Sequence, residues 1–150
     1  MRVVIQRVLN AKVTIDNIVE SQIGCGLLIF LGIEVNDIKE DALWLAKKIK
    51  SLRIFNDGNG VMNESVVDSK GEILVVSQFT LHAKTKKGNR PSYIKSALPD
   101  QAKPLYSFFK EELSFLTEKK VKSGRFGADM KVELTNDGPV TIIIDSKNKE

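Results

Sequence analysis

The sequence predicts an α+β fold in which a mostly antiparallel or mixed β-sheet packs with two main helices. Strand-like segments come mostly in runs, and two segments have the apolar spacing of amphipathic helices. A doubly wound α/β protein would alternate strands and helices, so this order argues against that fold. The 150 residues fit one domain. We expect it to span residues 1–145, followed by a polar, frayed tail of residues 146–150.

The predicted strands are bounded by turn residues and are rich in β-branched or alternating apolar residues. They are Val4–Val8 with a continuation through Val13 and Ile15, Ile18–Ile23, Leu27–Glu34, Arg53–Phe55, Ile73–Phe79, Met130–Leu134 and Val140–Asp145. The first helix is predicted to begin after Asp37, an N-cap in a capping-box pattern with Glu40. The second is predicted over about residues 100–118, with Pro104 in its first turn.

The composition excludes several kinds of protein. Hydrophobic residues make up 42% and charged residues 28%, which is typical of a globular chain rather than a disordered one. One cysteine, Cys25, and one histidine, His82, exclude a disulfide framework and the usual zinc-ligand sets. We expect no cofactor and no metal, and a buried packing role for Cys25.

The N-terminus lacks the apolar core of a signal peptide, and the longest apolar stretch, residues 27–33, is too short to span a bilayer. We therefore expect a cytoplasmic protein without membrane contact. The formal net charge of +4 permits a polyanionic partner without requiring one.

Three segments are candidates for function. Ser77-Gln78-Phe79-Thr80-Leu81 follows a buried strand, where its polar groups either line a site or satisfy the backbone at the strand end. Asn136-Asp137-Gly138-Pro139 has the chemistry of a hairpin turn, although its Gly-Pro bond can also be held cis.

The third segment is basic. Between residues 82 and 99 there are five cations and no acid: Lys84, Lys86, Lys87, Arg90 and Lys95. A second run contains Lys119, Lys120, Lys122 and Arg125. Such segments are either solvated loops or surfaces that contact phosphates.

Other catalytic patterns are missing. The sequence contains neither a GxxxxGK[ST] phosphate loop nor a GxSxG elbow. A Ser-His-Asp triad would need His82, five residues after Ser77 in an expected exposed loop, and we consider it the weaker interpretation.

These motifs resemble those of the bacterial and eukaryotic type of D-aminoacyl-tRNA deacylase. Residues 77–81 match an SQFTL-type motif, and residues 136–141 match an NxGPVT-type motif. Further matches, in the same order and spacing, are Ile5–Val8, Arg53–Phe55 with Met62-Asn63, Arg90–Ser92, and Gly124–Phe126 with Ala128–Met130. The resemblance covers about residues 1–145.

The resemblance implies a barrel-like sheet and a homodimeric hydrolase without a cofactor. It would cleave the ester that joins a D-amino acid, or glycine mischarged on alanine tRNA, to the acceptor end of tRNA. Gly138-Pro139 would be cis and enter the partner's site, where it leaves no room for an L side chain. Arg7 would orient that motif, while Phe126, Met130 and, less closely, Ala102 match pocket positions. Lys84, Lys86, Lys87 and Arg90 would contact the tRNA.

The implied mechanism relies on the backbone of Ser77, Gln78, Phe79 and Thr80. The ribose 2′-hydroxyl would help to activate the attack, and N–H groups near Phe79 and Thr80 would stabilise the oxyanion. Thr80 as the nucleophile is a second interpretation, and the sequence offers no evident base for it. A nucleic-acid-binding module without catalysis is the alternative from another functional class.

Overall fold

The computed structural model describes residues 1–150 and confirms the α+β class. The strands are β1 (Arg2–Ile15), β2 (Ile18–Ile23), β3 (Gly26–Gly32), β4 (Phe55–Asn56), β5 (Met62–Glu64), β6 (Glu72–Ser77), β7 (Lys122–Ser123) and β8 (Lys131–Asp145). The helices are α1 (Lys39–Lys50), a 3₁₀-helix (Phe79–His82) and α2 (Pro99–Thr117). None of the helices combines the length and the apolar character that a membrane-spanning helix requires.

Strand β1 is the centre of a mixed, barrel-like sheet. Its first half pairs antiparallel with β3, its second half pairs antiparallel with β2, and β8 runs antiparallel along both halves. Strand β6 is parallel to both β3 and β7. The parallel strands explain why the sheet is mixed, while β4 and β5 form a separate hairpin.

The expected hairpin at residues 136–139 is wrong. Gln6 pairs with Thr141 and Val8 pairs with Asn136, so both flanks of the segment lie on the same partner strand in the same direction. Residues 137–140 are therefore a bulge in one continuous strand, opposite Arg7. We call these four residues the β8 bulge.

The helices cover one face of the sheet. Buried residues of α1 (Ala42, Leu45, Ala46, Ile49) and of α2 (Ala102, Leu105, Phe109, Leu113) pack there on alternate residues of β1 and β3. A smaller second core lies on the other side and includes Val8, Val13, Leu74 and Val76. The predicted apolar faces of both helices are thus confirmed, whereas Pro104 is the sixth residue of α2 rather than part of its first turn.

The predicted N-cap of α1 is wrong because a distant group takes its carboxylate. Asp37 accepts hydrogen bonds from the N-terminal ammonium of Met1 and from the Glu34 N–H. The helix begins one residue later, and the backbone N–H of its N-cap Ile38 donates to Asp41 Oδ2 at 3.0 Å.

The C-terminal tail packs instead of fraying. Ser146 is buried, and its N–H donates to the Met1 carbonyl at 2.8 Å. Lys147 Nζ donates to Asp41 Oδ2 at 2.7 Å, and Lys149 Nζ lies 4.6 Å from the centre of the Trp44 ring. The side chains that look merely polar in the sequence therefore hold the tail against α1.

Cys25 is exposed, contrary to the expected packing role. In this turn it is the next residue, Gly26, whose backbone packs closely on β6: an added Cβ would lie 1.9 Å from the Glu72 carbonyl oxygen. Strand β3 pairs with β6 at this point, so the thiol beside it turns outward.

Candidate active site

A cavity of about 300 Å³ lies where β6 ends, between α2 and the segment that leads into β8. Most of its lining side chains are apolar. The lining residues are Leu31, Ile33, Val76, Ser77, Gln78, Phe79, Ala97, Ala102, Phe126, Gly127, Ala128, Asp129, Met130 and Val132. The cavity therefore gathers six of the predicted site residues: Ser77, Gln78, Phe79, Ala102, Phe126 and Met130.

The floor of the cavity forms where the chain leaves the sheet. Strand β6 ends at Ser77, two residues earlier than predicted, and the Gln78 N–H donates to the Leu31 carbonyl at 2.8 Å. The 3₁₀-helix follows, and the Leu81 N–H makes its first backbone bond, to the Gln78 carbonyl. The N–H groups of Phe79 and Thr80 precede this first internal donor, as at any helix start.

Phe79 is the rim of the cavity, with 55% of its surface exposed. Its ring meets Tyr93 edge to face with centroids 4.9 Å apart, and its carbonyl accepts a hydrogen bond from Ser96 Oγ at 2.9 Å. Residues 93–96, which lie within the basic segment between residues 82 and 99 (the basic loop), thus hold this rim in place.

Tyr106 supports the opposite wall and was missed because its helical position was not grouped with the apolar face. Its ring meets Phe126 edge to face at 5.6 Å, and its hydroxyl donates to the Val75 carbonyl at 2.9 Å. Burial raises the pKa of Tyr106 to about 12, so the hydroxyl remains a protonated donor at neutral pH.

We expect Tyr106→Phe to lower the free energy of unfolding by about 1–2 kcal/mol, because the buried Val75 carbonyl loses its donor. Urea unfolding measures this change. Tyr93→Phe is the matched control, since Tyr93 is 39% exposed and its hydroxyl makes no hydrogen bond. Equal stability of the two variants would contradict the assigned role of the Tyr106 hydroxyl.

No acid–base pair adjoins the polar residues of the floor. Gln78 Nε2 donates to Thr80 Oγ1, and an amide N–H cannot take a proton from that hydroxyl. His82 is not in an exposed loop as expected: it ends the 3₁₀-helix and is only 4% exposed. Its Nε2 has no hydrogen-bond partner, so it forms no hydrogen-bonded pair with Ser77 through that atom.

Arg7 holds the β8 bulge against the rest of the chain. Its Nε donates to the Asp137 carbonyl at 3.2 Å and lies 3.0 Å from Asp137 Oδ2. Its Nη1 donates to the Ile54 carbonyl at 2.7 Å and to Asn56 Oδ1 at 3.3 Å. The side chain is 6% exposed, so one buried guanidinium joins the bulge to β4 and the residue before it.

The bulge presents a cis peptide bond between Gly138 and Pro139. Asn136 closes it, since Asn136 Oδ1 accepts from the Val140 N–H at 2.8 Å and its Nδ2 donates to the Val140 carbonyl at 3.2 Å. Gly138 and Pro139 are exposed and do not line the cavity of their own chain. Along β1, the bulge lies opposite Arg7, whereas the cavity residue Leu31 pairs with Val3. These two positions of β1 are about 13 Å apart.

Comparison with known proteins decides the family. The family model described as D-Tyr-tRNA(Tyr) deacylase matches residues 4–145. A protein from Parabacteroides distasonis named D-aminoacyl-tRNA deacylase is 64% identical over 150 residues, with full coverage of both chains. A protein of the same name from Flavobacterium psychrophilum is 63% identical, also with full coverage.

The chain belongs to the D-Tyr-tRNA(Tyr) deacylase family. As a family member it is an enzyme that hydrolyses the aminoacyl-tRNA ester bond, as its motifs predicted.

Solved structures agree on the fold of this deacylase family. That of a protein named "c-Myc DNA Unwinding Element Binding Protein" is 40% identical, with a TM-score of 0.91 and coverage of 97% of this chain and 98% of that one. Another, of a protein described as a probable eukaryotic D-amino acid tRNA deacylase, has a TM-score of 0.83 at 17% identity and supports the fold alone.

The two basic segments of this deacylase differ. Lys84, Lys86, Lys87 and Arg90 are exposed and make no ion pair. In the second run, Lys122 pairs with Glu72 at 2.7 Å and Arg125 pairs with Glu20 at 3.0 Å. The loop therefore keeps its positive charge available, whereas part of the second run is neutralised within the chain.

Sequence reasoning missed several cavity residues. Leu31, Ile33 and Val132 were noted or expected only as strand residues, and Ala97 was not singled out at all. Asp129 lies within a matched motif and lines the cavity, but its carboxylate pairs with Lys131 Nζ at 2.8 Å. The available signal was the alternation of Ala128, Met130 and Val132 with polar residues, which places these three side chains on one face of the segment.

Proposed function

We propose that the protein proofreads chirality by hydrolysing D-aminoacyl-tRNA to the free D-amino acid and tRNA. The cavity whose floor is the Ser77–Phe79 backbone carries this proposal, because its size suits one amino acid and half of its lining residues lie in the family motifs. The cytoplasm is the proposed place of action. Glycine mischarged on alanine tRNA is a further proposed substrate, since glycine also lacks an L side chain.

The proposed enzyme is a homodimer in which Gly138 and Pro139 enter the partner's cavity. Two observations support it: these residues are exposed, and Arg7 holds them away from the cavity of their own chain. A symmetric dimer would bring each bulge to the other cavity and make two equal sites.

Selection between D and L substrates is proposed to work by exclusion. A rigid bulge would offer backbone carbonyls to the α-amine and fill the space that an L side chain needs. The contacts of Arg7 and Asn136 supply the rigidity on which such a device depends. The side chain of a D residue then needs no specific contact, and broad use of D-amino acids is expected.

The proposed chemistry uses the substrate's own hydroxyl. The floor has no acid–base pair, and Thr80 Oγ1 receives a hydrogen bond from an amide, so activation by the ribose 2′-hydroxyl fits the site better than a Thr80 nucleophile. The N–H groups of Phe79 and Thr80 are the proposed oxyanion donors.

We expect Thr80→Ala to deacylate D-aminoacyl-tRNA within about threefold of the wild-type rate, because the proposed Thr80 role is a backbone one. A 2′-deoxy terminal adenosine should instead slow the reaction about 100-fold, a value within the range of general acid–base effects. Single-turnover rates with 3′-linked substrates measure both. A Thr80→Ala variant without activity, or an unaffected deoxy substrate, would reverse the assignment.

The function itself is tested with one amino acid attached to one tRNA in both chiral forms. The protein should release tRNA from the D form and leave the L form intact. Loss of neither form, or equal loss of both, would reject the proposal.

A second candidate function is DNA binding by the same protein, favoured by the name of the 40% identical protein of solved structure. The unpaired cations of the basic loop support this candidate equally well. Fluorescence anisotropy with duplex DNA and with tRNA, in the same salt, separates them. Preference for DNA over tRNA would favour the second candidate.

A further inference from the structure

A second cleft lies at the other end of the 3₁₀-helix from the cavity. Its volume is about 310 Å³. Four cationic side chains and two carboxylates line it: Arg2, Lys84, Lys95, Lys147, Glu34 and Asp145. The cleft therefore has an excess of two positive charges, and its residues come from β1, the basic loop, the segment after β3 and the C-terminal tail.

The cations of the cleft differ in how far they are neutralised. Arg2 pairs with Asp145 at 2.8 Å, and Lys147 pairs with Asp41 at 2.7 Å. Lys95 is 3.4 Å from Glu34, whereas Lys84 has no ion pair. The backbone of Lys84 is nevertheless fixed, because its N–H and carbonyl bond to Ser92 at 2.8 and 3.0 Å. Lys84 is thus a free charge on an ordered main chain.

His82 supplies an independent observation. It lines the cleft and is 4% exposed, and its Nε2 is the buried side-chain polar atom of this chain that lacks a hydrogen-bond partner. Buried polar atoms in native proteins nearly always have one. Because the protein encloses that atom, it is an unsatisfied group beneath the cleft, and the excess of cations in the lining is what favours an anionic ligand.

The cleft and the cavity are neighbours. Phe79 lines the cavity and His82 lines the cleft, and three residue steps of the 3₁₀-helix place them about 6 Å apart along its axis. The segment before α2 also touches both sites, since Ser96 Oγ donates to the carbonyl of Phe79 and the neighbouring Lys95 lines the cleft. A strand whose terminal aminoacyl group enters the cavity can therefore pass its preceding phosphates over the cleft.

We propose that this cleft binds a backbone phosphate of the single-stranded 3′ end of tRNA, next to the nucleoside whose aminoacyl group enters the cavity. The inference rests on the proposed function, and it separates Lys84 from Lys86, Lys87 and Arg90, which do not line the cleft. A free phosphate ion has the same chemistry, so the experiment distinguishes the two sources.

The test compares Lys84→Ala with Lys47→Ala, which removes the same charge from an exposed, unpaired position on α1. For D-aminoacyl-tRNA, Lys84→Ala should raise KM about five- to tenfold and reduce the slope of log KM against log salt by about 0.7, as for one lost single-strand phosphate contact. Lys47→Ala should change neither. Glu34→Gln should act in the opposite direction and lower KM about twofold, because a competing carboxylate is removed.

A substrate without a backbone phosphate tests whether the effect of Lys84→Ala depends on that phosphate. The KM effect of Lys84→Ala on D-aminoacyl-tRNA should exceed its effect on a D-aminoacyl ester of adenosine at least threefold. Inorganic phosphate should compete with uncharged tRNA in anisotropy with the wild type, and compete more weakly with Lys84→Ala.

Each outcome separates the cleft from the proposed function. If the wild type deacylates D-aminoacyl-tRNA while Lys84→Ala and Lys47→Ala behave alike, the cleft proposal is wrong and the function stands. Phosphate that binds without displacing tRNA would identify a free-anion site and also overturn the proposal. If the wild type has no deacylase activity, the function fails, and equal tRNA affinities of the two variants would then reject the cleft separately.

Discussion

Replacing Gly138 with alanine is expected to reduce deacylation of D-aminoacyl-tRNA about 100-fold, the effect of displacing a site group by about 1 Å. Gly138 has φ +125°, and an added Cβ would lie 2.8 Å from Val140 Cγ2 and 3.0 Å from Arg7 Nη2. The bulge must therefore move, and its carbonyls move with it. Because the bulge is exposed, the free energy of unfolding should fall by only about 1–3 kcal/mol.

Gly60→Ala is the matched control for this substitution. Gly60 also has a positive φ of +77°, but nothing lies within 4 Å of an added Cβ, and it belongs to the β4–β5 turn away from the cavity. It should lose stability through backbone strain and keep full deacylase activity. Full activity of Gly138→Ala would show that the bulge plays no part in the site.

The dimer predicts that two inactive variants restore each other. Mixing Gly138→Ala with a variant that fills the cavity, Ala102→Trp, should give about a quarter of wild-type activity after subunit exchange, since half of the dimers are mixed and each has one intact site. Ala102 is 4% exposed and lines the cavity, so a larger side chain there blocks substrate. No recovery in a mixture shown to contain mixed dimers would contradict a site shared between subunits.

Arg7→Met has the second large expected effect, on both stability and activity. The buried carbonyl of Ile54 and the partly buried carbonyl of Asp137 would lose their charged donor, so the free energy of unfolding should fall by about 2–4 kcal/mol. The bulge would also lose its anchor, and deacylation should fall about tenfold or more. Urea unfolding and single-turnover kinetics at a temperature where the variant is folded measure these effects.

Two further variants identify the cause. Arg7→Lys keeps the charge but cannot reach Ile54 and Asp137 together, so it should recover stability more than activity. Arg125→Met removes an exposed arginine paired with Glu20 and should change stability by less than about 0.5 kcal/mol. Full activity of Arg7→Lys would mean that charge alone, rather than the pair of anchoring contacts, is what matters.

Local patterns predicted the elements but not their partners. The apolar spacing predicted two amphipathic helices correctly, because helical spacing depends on the segment itself. The β8 bulge was predicted as a hairpin because Asn-Asp-Gly has the same turn chemistry in either setting. Pairing of both flanks with β1, more than a hundred residues away, decides between them.

The same limit applies to single residues. Asp37 has the right chemistry for an N-cap, but the ammonium of Met1 takes its carboxylate. For the site, the motifs located the floor at Ser77–Phe79 and the wall residues Phe126 and Met130. The support of that wall by Tyr106 depends on where α2 crosses the sheet, and residue spacing does not encode this crossing.

Strand β8 is a fifteen-residue edge that pairs only with β1 within the chain. A regular edge of that length is a template for further strands and hence for aggregation. The β8 bulge interrupts this edge near the middle, and the first half of the strand exposes the charged side chains of Lys131 and Glu133. The residues proposed to reject L substrates therefore also protect the protein from adding unrelated strands, so variants that straighten this segment should lose solubility as well as selectivity.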